Sequence, residues 1–306
     1  MNKTIAVILF IVNFTNANSQ SKRGNNWVTG YSGNKIDFAN NNIITSQGIF
    51  FPYKYFLQGS SCISDTNGVL ILASDGYNVY SKNGSYLDDG DTLVPSDAYN
   101  YHSGHSLGSQ GSIILPFDSN KYYFVTPTFS NARFADCQAN NNCYFDLLYY
   151  NVIDMNANGG AGKVVKRMQP IMTNGNFRKT QMMACRHSNG KDWWLLKQAG
   201  DSNRIHKFRF TQNSVYNEGY QQFDEPVWGA WDIEGQSCFS KDGSKYASSS
   251  HGNSNGKVFL ADFDRCLGVL SNPKVITMPT GSQYNPGAPS DSEKLAKGVA
   301  YSPDND

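Results

Sequence analysis

A small group of side chains could bind a polar ligand or transfer protons. They are His102, His105, Gln110, Gln181 and Gln236. An imidazole exchanges protons near neutral pH or binds a metal, and a side-chain amide both donates and accepts hydrogen bonds. Zinc would need further ligands, and the segment 101–106 around the two histidines contains neither cysteine nor an acidic residue. We therefore predict a polar ligand for these side chains, with no metal site and no catalytic residue.

Two acidic segments could hold a cation. The segment Asp154–Gly159 follows the first half of a calcium-binding loop, but the position that needs a bidentate glutamate holds Val165. The segment Leu87–Asp91 groups three carboxylates. Both patterns favour solvated turns between strands. Serine, histidine and aspartate are abundant, but no spacing assigns them to a catalytic triad, so we expect no cofactor and favour a non-enzymatic protein.

The elements that position these residues are predicted from composition. The 306 residues include 28 Gly, 18 Tyr and 18 Phe, and only 17% are charged. Aromatic residues with many glycines and polar turn residues favour short strands joined by tight turns, and we find no helical periodicity beyond a turn or two at 291–297. The net charge of +1 without a basic block argues against a nucleic-acid partner.

The N-terminus predicts export. Lys3 precedes the apolar run Ile5–Val12, and the small residues at 17–19 suit a signal-peptidase site. We expect a signal peptide at 1–19 and a mature domain at 20–306, with secretion or display at the cell surface. The alternative is that the apolar run is a buried element of the mature fold. No second long apolar run occurs, so we expect no transmembrane segment in the mature chain.

Export permits disulfides. Cys137 and Cys143 bracket a short polar segment, and we predict a bridge between them in a loop inserted between strands. Cys62, Cys185 and Cys238 each lie five or six residues before a turn glycine. Because other copies of the same position hold Ile or Ala, we expect these three thiols to be buried, unbridged and packed between repeated units.

A repeated strand–turn–strand unit predicts the fold. The clearest copy spans 236–278 and contains four candidate strands. Similar turns, at intervals of 53, 69, 53 and 62 residues, are centred on Asn67, Asn120, Asn189, Asp242 and Asp304. Such spacing predicts an all-β protein, a β-propeller of four-stranded antiparallel blades, with about four blades and the start of another. We expect the sequence to be part of a longer protein that supplies the remaining blades.

Several ordered motifs resemble a known family. They are Asn26–Gly30 with Ile36–Phe38, Ile63–Leu70, Leu148–Met155, Arg186–Trp194 and Asp262–Gly268. In this respect the chain resembles secreted β-propeller proteins of the Bacteroidota, and its propeller is similar to the TolB and seven-bladed lactonase-like class. The resemblance implies the architecture, and in many relatives a type IX secretion sorting tail, but no established reaction.

The expected function follows from the predicted fold. Innermost strands line a propeller's channel, so the five ligand candidates could face its mouth, while Trp228 and Trp231 could stack on sugars. We predict an exported non-enzymatic propeller that serves as a protein- or glycan-interaction scaffold at the cell surface. The alternative is a hydrolase or lactonase-like enzyme with its site at the channel mouth.

Overall fold

The computed structural model of the chain describes residues 22–31, 33–38, 43–48, 54–57, 59–106, 108–141, 143–200, 203–224, 235–250, 257–277 and 298–302. The predicted signal peptide, the tryptophans at 228 and 231, the segment 291–297 and the turn at Asp304 lie outside these residues. The predictions for them therefore stay predictions.

Short strands dominate the described residues, and alternation is the reason. In the segment Lys257–Asp264, for example, Phe259, Ala261 and Phe263 are buried on one face, while Asp262 is half-buried on the other face. The strands are β1 (Asn26–Tyr31), β2 (Asn34–Asp37), β3 (Ile44–Ser46), β4 (Tyr55–Phe56), β5 (Ser61–Ser64), β6 (Leu70–Ser74), β7 (Val79–Ser81), β8 (Ile113–Asp118), β9 (Lys121–Thr128), β10 (Leu147–Asp154), β11 (Lys163–Met172), β12 (Phe177–Arg186), β13 (Trp193–Ala199), β14 (Arg204–Phe210), β15 (Val215–Gln222), β16 (Ser237–Phe239), β17 (Lys245–Ser250), β18 (Lys257–Asp264) and β19 (Val269–Thr277).

The strands pair into five antiparallel sheets, which we call blades I to V. Blade I has the order β3-β2-β1-β4 and blade II the order β5-β6-β7. Blades III, IV and V contain β8 to β11, β12 to β15 and β16 to β19, with neighbours in sequence paired in each. Strands β1 to β4, which precede the first predicted unit, thus form a blade of their own. The described residues therefore contain one more blade than the repeated turns indicated.

The hydrophobic core lies between the blades, which makes the fold a propeller. Each of the four buried clusters in the described part of the chain joins two consecutive blades. Between blades IV and V, for instance, Trp194 and Ile205 pack with Tyr246 and Phe259. A sandwich would instead bury its apolar residues between two facing sheets. The predicted fold class, an all-β propeller with antiparallel blades, is therefore confirmed.

The predicted turns join the first two strands of their blades. The four that lie in the described residues contain Asn67, Asn120, Asn189 and Asp242. In the last of them, Asp242 Oδ1 accepts hydrogen bonds from Ser244 N (3.0 Å) and Ser240 Oγ (2.7 Å). These bonds, led by the one from Ser244 N–H, lower the pKa of Asp242 to about 2. Gly243 follows with a φ of 74°, which a residue with a side chain rarely adopts.

Two of the three inner-strand cysteines, Cys62 and Cys185, pack between repeated units as predicted. Cys62 Sγ lies 3.0 Å from Asn26 O of blade I, and Cys185 belongs to the cluster shared with blade V. Burial raises the pKa of Cys62 to about 11 and that of Cys185 to about 12. Cys238 is half-buried and its pKa is also raised. All three are unbridged, and each thiol is held in its neutral form.

The expectation of no helix beyond a turn or two at 291–297 was wrong. Helix α1 spans Ser96–Tyr101, and helix α2 spans Asn131–Asn140 between β9 and β10. The segment between Cys137 and Cys143, which was expected to be a loop, therefore begins inside α2. Ser130 caps the start of this helix by accepting a hydrogen bond from Arg133 N, and Asn141 ends it with a φ of 57°. None of the helices in the described residues is long and apolar enough to span a membrane.

The two ends of the propeller differ in the length of their connections. At the end where the inner strands begin, which we call the loop end, lie helix α1, which precedes β8, and helix α2, which lies between β9 and β10. At the opposite end, the turn end, short hairpins such as 119–120 and 265–268 join the strands. Ligand sites concentrate in loops held by a rigid scaffold, so the loop end is the first place to look for one.

Candidate ligand-binding face

A group of rings forms the surface of the loop end beside the two helices. Tyr101, at the end of α1, is 59% exposed, and its ring lies 5.0 Å from that of Phe134 in α2. His102 lies 5.3 Å from Tyr101, 6.3 Å from Phe129 and 6.4 Å from Phe134, centroid to centroid. We call these four residues the aromatic platform. An exposed ring backed by other rings offers a flat, apolar surface with little conformational freedom.

The platform is held rigidly by the segment around α2. Asp146, at the start of β10, accepts hydrogen bonds from Ser130 N and Ser130 Oγ, both 2.6 Å. The Sγ atoms of Cys137, in the last turn of α2, and Cys143 are joined in a disulfide. Both ends of the helix are thus tied to the segment that leads into β10, which holds the platform beside blade III.

The polar groups under the platform are largely uncharged. His102 Nδ1 lies 2.9 Å from Tyr77 Oη. Burial, followed by the charges of Lys179 and His105, lowers the pKa of His102 to about 4. Burial raises the pKa of Tyr77 well above its usual range. At neutral pH a neutral imidazole therefore faces a protonated phenol, and when Tyr77 donates to Nδ1 the proton of His102 is on Nε2.

Lys179 is the cation of this region. Its Nζ lies 5.4 Å from the centre of the Phe129 ring, a distance at which a cation and a π face attract each other. Burial lowers its pKa from the ordinary value. Beside the platform the chain thus places one positive charge of reduced hydration, which can bind a hydroxyl, carbonyl or anionic oxygen.

Gln110 hydrogen-bonds to a distant blade. Its Nε2 donates to Ser237 O (2.8 Å), and its Oε1 accepts from Ser237 N (2.9 Å) and Oγ (3.3 Å). Gln110 precedes blade III and Ser237 begins blade V, so the amide reaches past blade IV. The amide of this predicted candidate therefore joins two blades. Binding a ligand would require these bonds to break.

The other predicted candidates do not converge with it on one ligand. Gln181 is fully buried, and its Nε2 donates to Ser249 O (2.6 Å) of blade V. Gln236 is exposed at the start of β16. His105 is buried, with its ring 5.1 Å from Tyr55. Of the five predicted side chains, only His102 belongs to the aromatic platform.

Sequence reasoning missed a serine motif in the same loop. The segment 104–108 reads G-H-S-L-G and so matches the G-x-S-x-G pattern around a catalytic serine. Here Ser106 lies in a loop between α1 and β8, and it is 1% exposed. A side chain on Gly59, Gly76 or Gly111 would come within 2.6 Å of Ser106. Glycines are thus needed to enclose Ser106, which packs as a buried residue of the loop.

A buried basic pair was also missed. Lys197 is fully buried in β13, its Nζ donates to Thr180 O, and burial together with the charge of Arg178 lowers its pKa well below the ordinary value. The sequence does contain a signal for it, because Lys197 and Gln198 interrupt an otherwise apolar strand. Polar residues inside a fully buried strand indicate either a site or an inter-blade contact.

One of the two acidic segments, Leu87–Asp91, pairs with basic residues. Lys163 Nζ lies 3.0 Å from Asp88 Oδ2 and 2.7 Å from Asp89 Oδ2, and this pairing lowers the pKa of Asp89. The segment Asp154–Gly159 lies in the connection between β10 and β11. Across the described ranges, no three His, Cys, Asp or Glu side chains are arranged to hold a metal ion.

Comparisons with known proteins find similar structures but assign no family to the chain. No protein-family model matches the chain, and no curated protein matches its sequence. Among solved structures it is similar to a candidate 6-phosphogluconolactonase from Bacteroides fragilis, with 12% identity, a TM-score of 0.42, and coverage of 91% of this chain and 70% of that one. A second candidate 6-phosphogluconolactonase, from Bacteroides uniformis, has 12% identity and a TM-score of 0.39, and the match covers 79% of this chain and 64% of that one. The β-propeller domain of Cps50 (Swd1) from Myceliophteria thermophila has 13% identity and a TM-score of 0.33, and the match covers 82% of this chain and 83% of that one. At these scores none of them assigns an activity to this chain.

Proposed function

We propose that this protein is an exported β-propeller that binds a glycan at its loop end and acts as an interaction scaffold at the cell surface. The observation that supports the proposal is the aromatic platform, with Tyr101 exposed above the rings of His102 and Phe134. The C–H groups of a sugar ring pack on the face of an aromatic ring, while polar groups at its edge bond the hydroxyls.

The surroundings of the platform suit a neutral polar ligand. A neutral His102 with its proton on Nε2 is a donor, and Lys179 supplies further donors nearby. Hydrogen bonds to such groups fix the orientation of a ligand that stacking alone would leave free to rotate. The glycan assignment is favoured over a protein partner because the platform is small and edged by donors.

Export is part of the proposal and has its own support. The apolar run near the N-terminus is flanked as in a cleavable signal peptide, and the Cys137–Cys143 bridge requires an oxidising compartment. Expression of the full chain in a Bacteroidota host, followed by N-terminal sequencing of the extracellular fraction, should give a mature protein that begins at Gln20. A chain that keeps Met1 and stays with the cell lysate would contradict export.

The binding test compares two exposed tyrosines. The purified mature protein is screened on a glycan array, and the best neutral oligosaccharide is titrated by calorimetry against wild type, Tyr101→Ala and Tyr216→Ala. Tyr216 is the matched control because it is 44% exposed but lies on the outer strand of blade IV. We expect Tyr101→Ala to weaken binding about 3- to 10-fold and Tyr216→Ala to leave it unchanged. Equal losses, or no saturable binding of any glycan, would refute the platform.

A hydrolase is the second candidate, because the G-x-S-x-G serine and the perturbed histidine share one loop. Hydrolysis of lactones and esters by the purified protein is measured together with covalent labelling by a fluorophosphonate. Turnover that disappears in both Ser106→Ala and His102→Gln would favour the enzyme. The burial of Ser106 leads us to expect neither turnover nor labelling.

A further inference from the structure

A second concave surface lies at the opposite end of the propeller. A cleft of about 470 Å³ opens among the turns β8–β9, β12–β13 and β14–β15, where blades III and IV meet. Its size is in the range of sites that bind small organic molecules. We call it the hairpin cleft. It shares no residue with the aromatic platform.

Basic side chains outnumber acidic ones around the hairpin cleft. Arg23, Arg186 and Lys191 line it, with Asp118 and Asp192 as the carboxylates. Both carboxylates are held by their own turns, since Asp192 Oδ2 accepts from Asn189 Nδ2 (2.9 Å) and Asp118 Oδ1 accepts from Ser119 N (2.7 Å). Neither forms an ion pair with a cleft arginine among the described residues.

The two arginines keep most of their donors for a ligand. Arg186 lies over the Trp193 ring with its Cζ at 4.0 Å and donates one hydrogen bond, from Nη1 to Lys191 O (2.7 Å). Arg23 makes a long contact from Nη1 to Ser64 O (3.5 Å). A guanidinium has five N–H groups in a planar fork. Stacking on Trp193 therefore fixes the plane of Arg186 while leaving N–H groups to bind a carboxylate.

The arginines also repel each other. Burial, followed by the positive charge of Arg23, lowers the pKa of Arg186, and the Asp192 carboxylate offsets part of this effect. An anion bound between them would reduce this repulsion, and it would gain charge-assisted hydrogen bonds from two planar donors. The geometry of the cleft therefore selects a negatively charged group.

From these observations we infer that the hairpin cleft binds an acidic sugar through its carboxylate. The volume of about 470 Å³ exceeds what an inorganic anion fills and suits a body of one or two sugar rings. The amides of Gln212 and Asn213 line the same cleft and can bond hydroxyls, while the half-buried Phe117 offers an aromatic edge. This site is independent of the proposed loop-end function.

The test uses digalacturonic acid and its methyl ester as probes. Calorimetric titration of the mature protein at low salt should show saturable binding of the acid, and at least tenfold weaker binding of the uncharged ester. Arg186→Gln and Arg23→Gln should each weaken binding of the acid about tenfold or more. Arg209→Gln is the matched control, because Arg209 also stacks on a ring, Tyr216 at 4.7 Å, but lies outside the cleft.

The outcomes separate the possible ligands. Equal affinity for acid and ester, or equal losses in Arg186→Gln and Arg209→Gln, would overturn the site. Inorganic phosphate that competes as well as the sugar acid, or a pentaglutamate peptide that binds as tightly, would overturn the assignment to a sugar. Arg23 lies in a short turn at the edge of the fold, so Arg23→Gln tests the site even if Arg186→Gln does not fold. Tyr101→Ala should leave this binding unchanged, which separates it from the loop-end proposal.

Discussion

Replacing Gln110 by alanine tests whether its amide joins blades III and V. The change removes one bond to Ser237 O and two from Ser237 N and Oγ. Ser237 is 1% exposed, so water cannot replace these bonds. A buried polar group left unpaired costs about 1–3 kcal/mol, so the two backbone groups together predict a loss of about 2–6 kcal/mol in the free energy of unfolding. Gln110 has a φ of 54°, and alanine keeps its Cβ, so the backbone strain is unchanged.

Urea unfolding followed by tryptophan fluorescence measures this loss. Gln236→Ala is the control, because Gln236 is exposed and its backbone hydrogen bonds to Ser249 do not depend on its side chain. A surface substitution of this kind should change the free energy of unfolding by less than about 0.5 kcal/mol. If Gln110→Ala were no more destabilising than Gln236→Ala, the inter-blade role of Gln110 would be refuted.

Three further predictions concern the cysteines and the platform histidine. Cys137→Ser with Cys143→Ser should lower the free energy of unfolding by about 2 kcal/mol, since the bridge closes a loop with a separation of 6 residues; equal urea midpoints would contradict this. A thiol reagent at pH 8 should modify the exposed Cys266 at once and Cys185, whose pKa is raised to about 12, only after unfolding, as read by mass spectrometry. The pKa of His102 falls from 6.5 to about 4 on folding, so the unfolded chain binds a proton at this residue more readily than the folded one. The free energy of unfolding is therefore unaffected by His102 above pH 6.5 and decreases as the pH falls towards 4. Wild type should therefore lose about 1–2 kcal/mol relative to His102→Gln between pH 7 and pH 4.5 in urea titrations, a range reduced for solvent screening because His102 is only half-buried, and parallel pH profiles would exclude this shift.

The fold was predictable because its signals are local. An Asx residue followed by glycine forms a tight turn from its own hydrogen bonds, as Asp242 does with Ser240 and Ser244. Repetition of such turns at propeller spacing then left few ways to bury the apolar strand faces. The inner-strand cysteines followed from the same repetition, since equivalent positions in stacked blades face the same kind of neighbour.

Helix α2 was missed because its signals are weak and depend on its context. It has one short apolar side, with Phe134 and Cys137 three positions apart, and the remaining positions hold alanine or polar residues. Its stability comes from Ser130 at its start, from Asp146, which binds Ser130 from the next strand, and from the bridge to Cys143. Only the first of these is visible as a local pattern.

The candidate sites were predicted in part, for a related reason. The amino-acid types identified His102 as a candidate, but its neighbours Tyr101 and Phe134 come from two unpredicted helices. The hairpin cleft combines Arg23, which precedes blade I, with Arg186 of blade IV, and these residues become neighbours only in the folded chain. Pairings over such separations leave no spacing in the sequence from which to infer them.

Turn chemistry, strand alternation and the spacing of the repeats determined the architecture, because each acts over a few residues and needs no knowledge of the remainder of the chain. Which polar group meets which was decided by the stacking of the blades. Gln110 illustrates the difference, since its amide is chemically able to bind a ligand and yet pairs with Ser237, which lies 127 positions away along the chain. That partner exists because three consecutive blades turn about one axis, and only the tertiary structure contains that rotation.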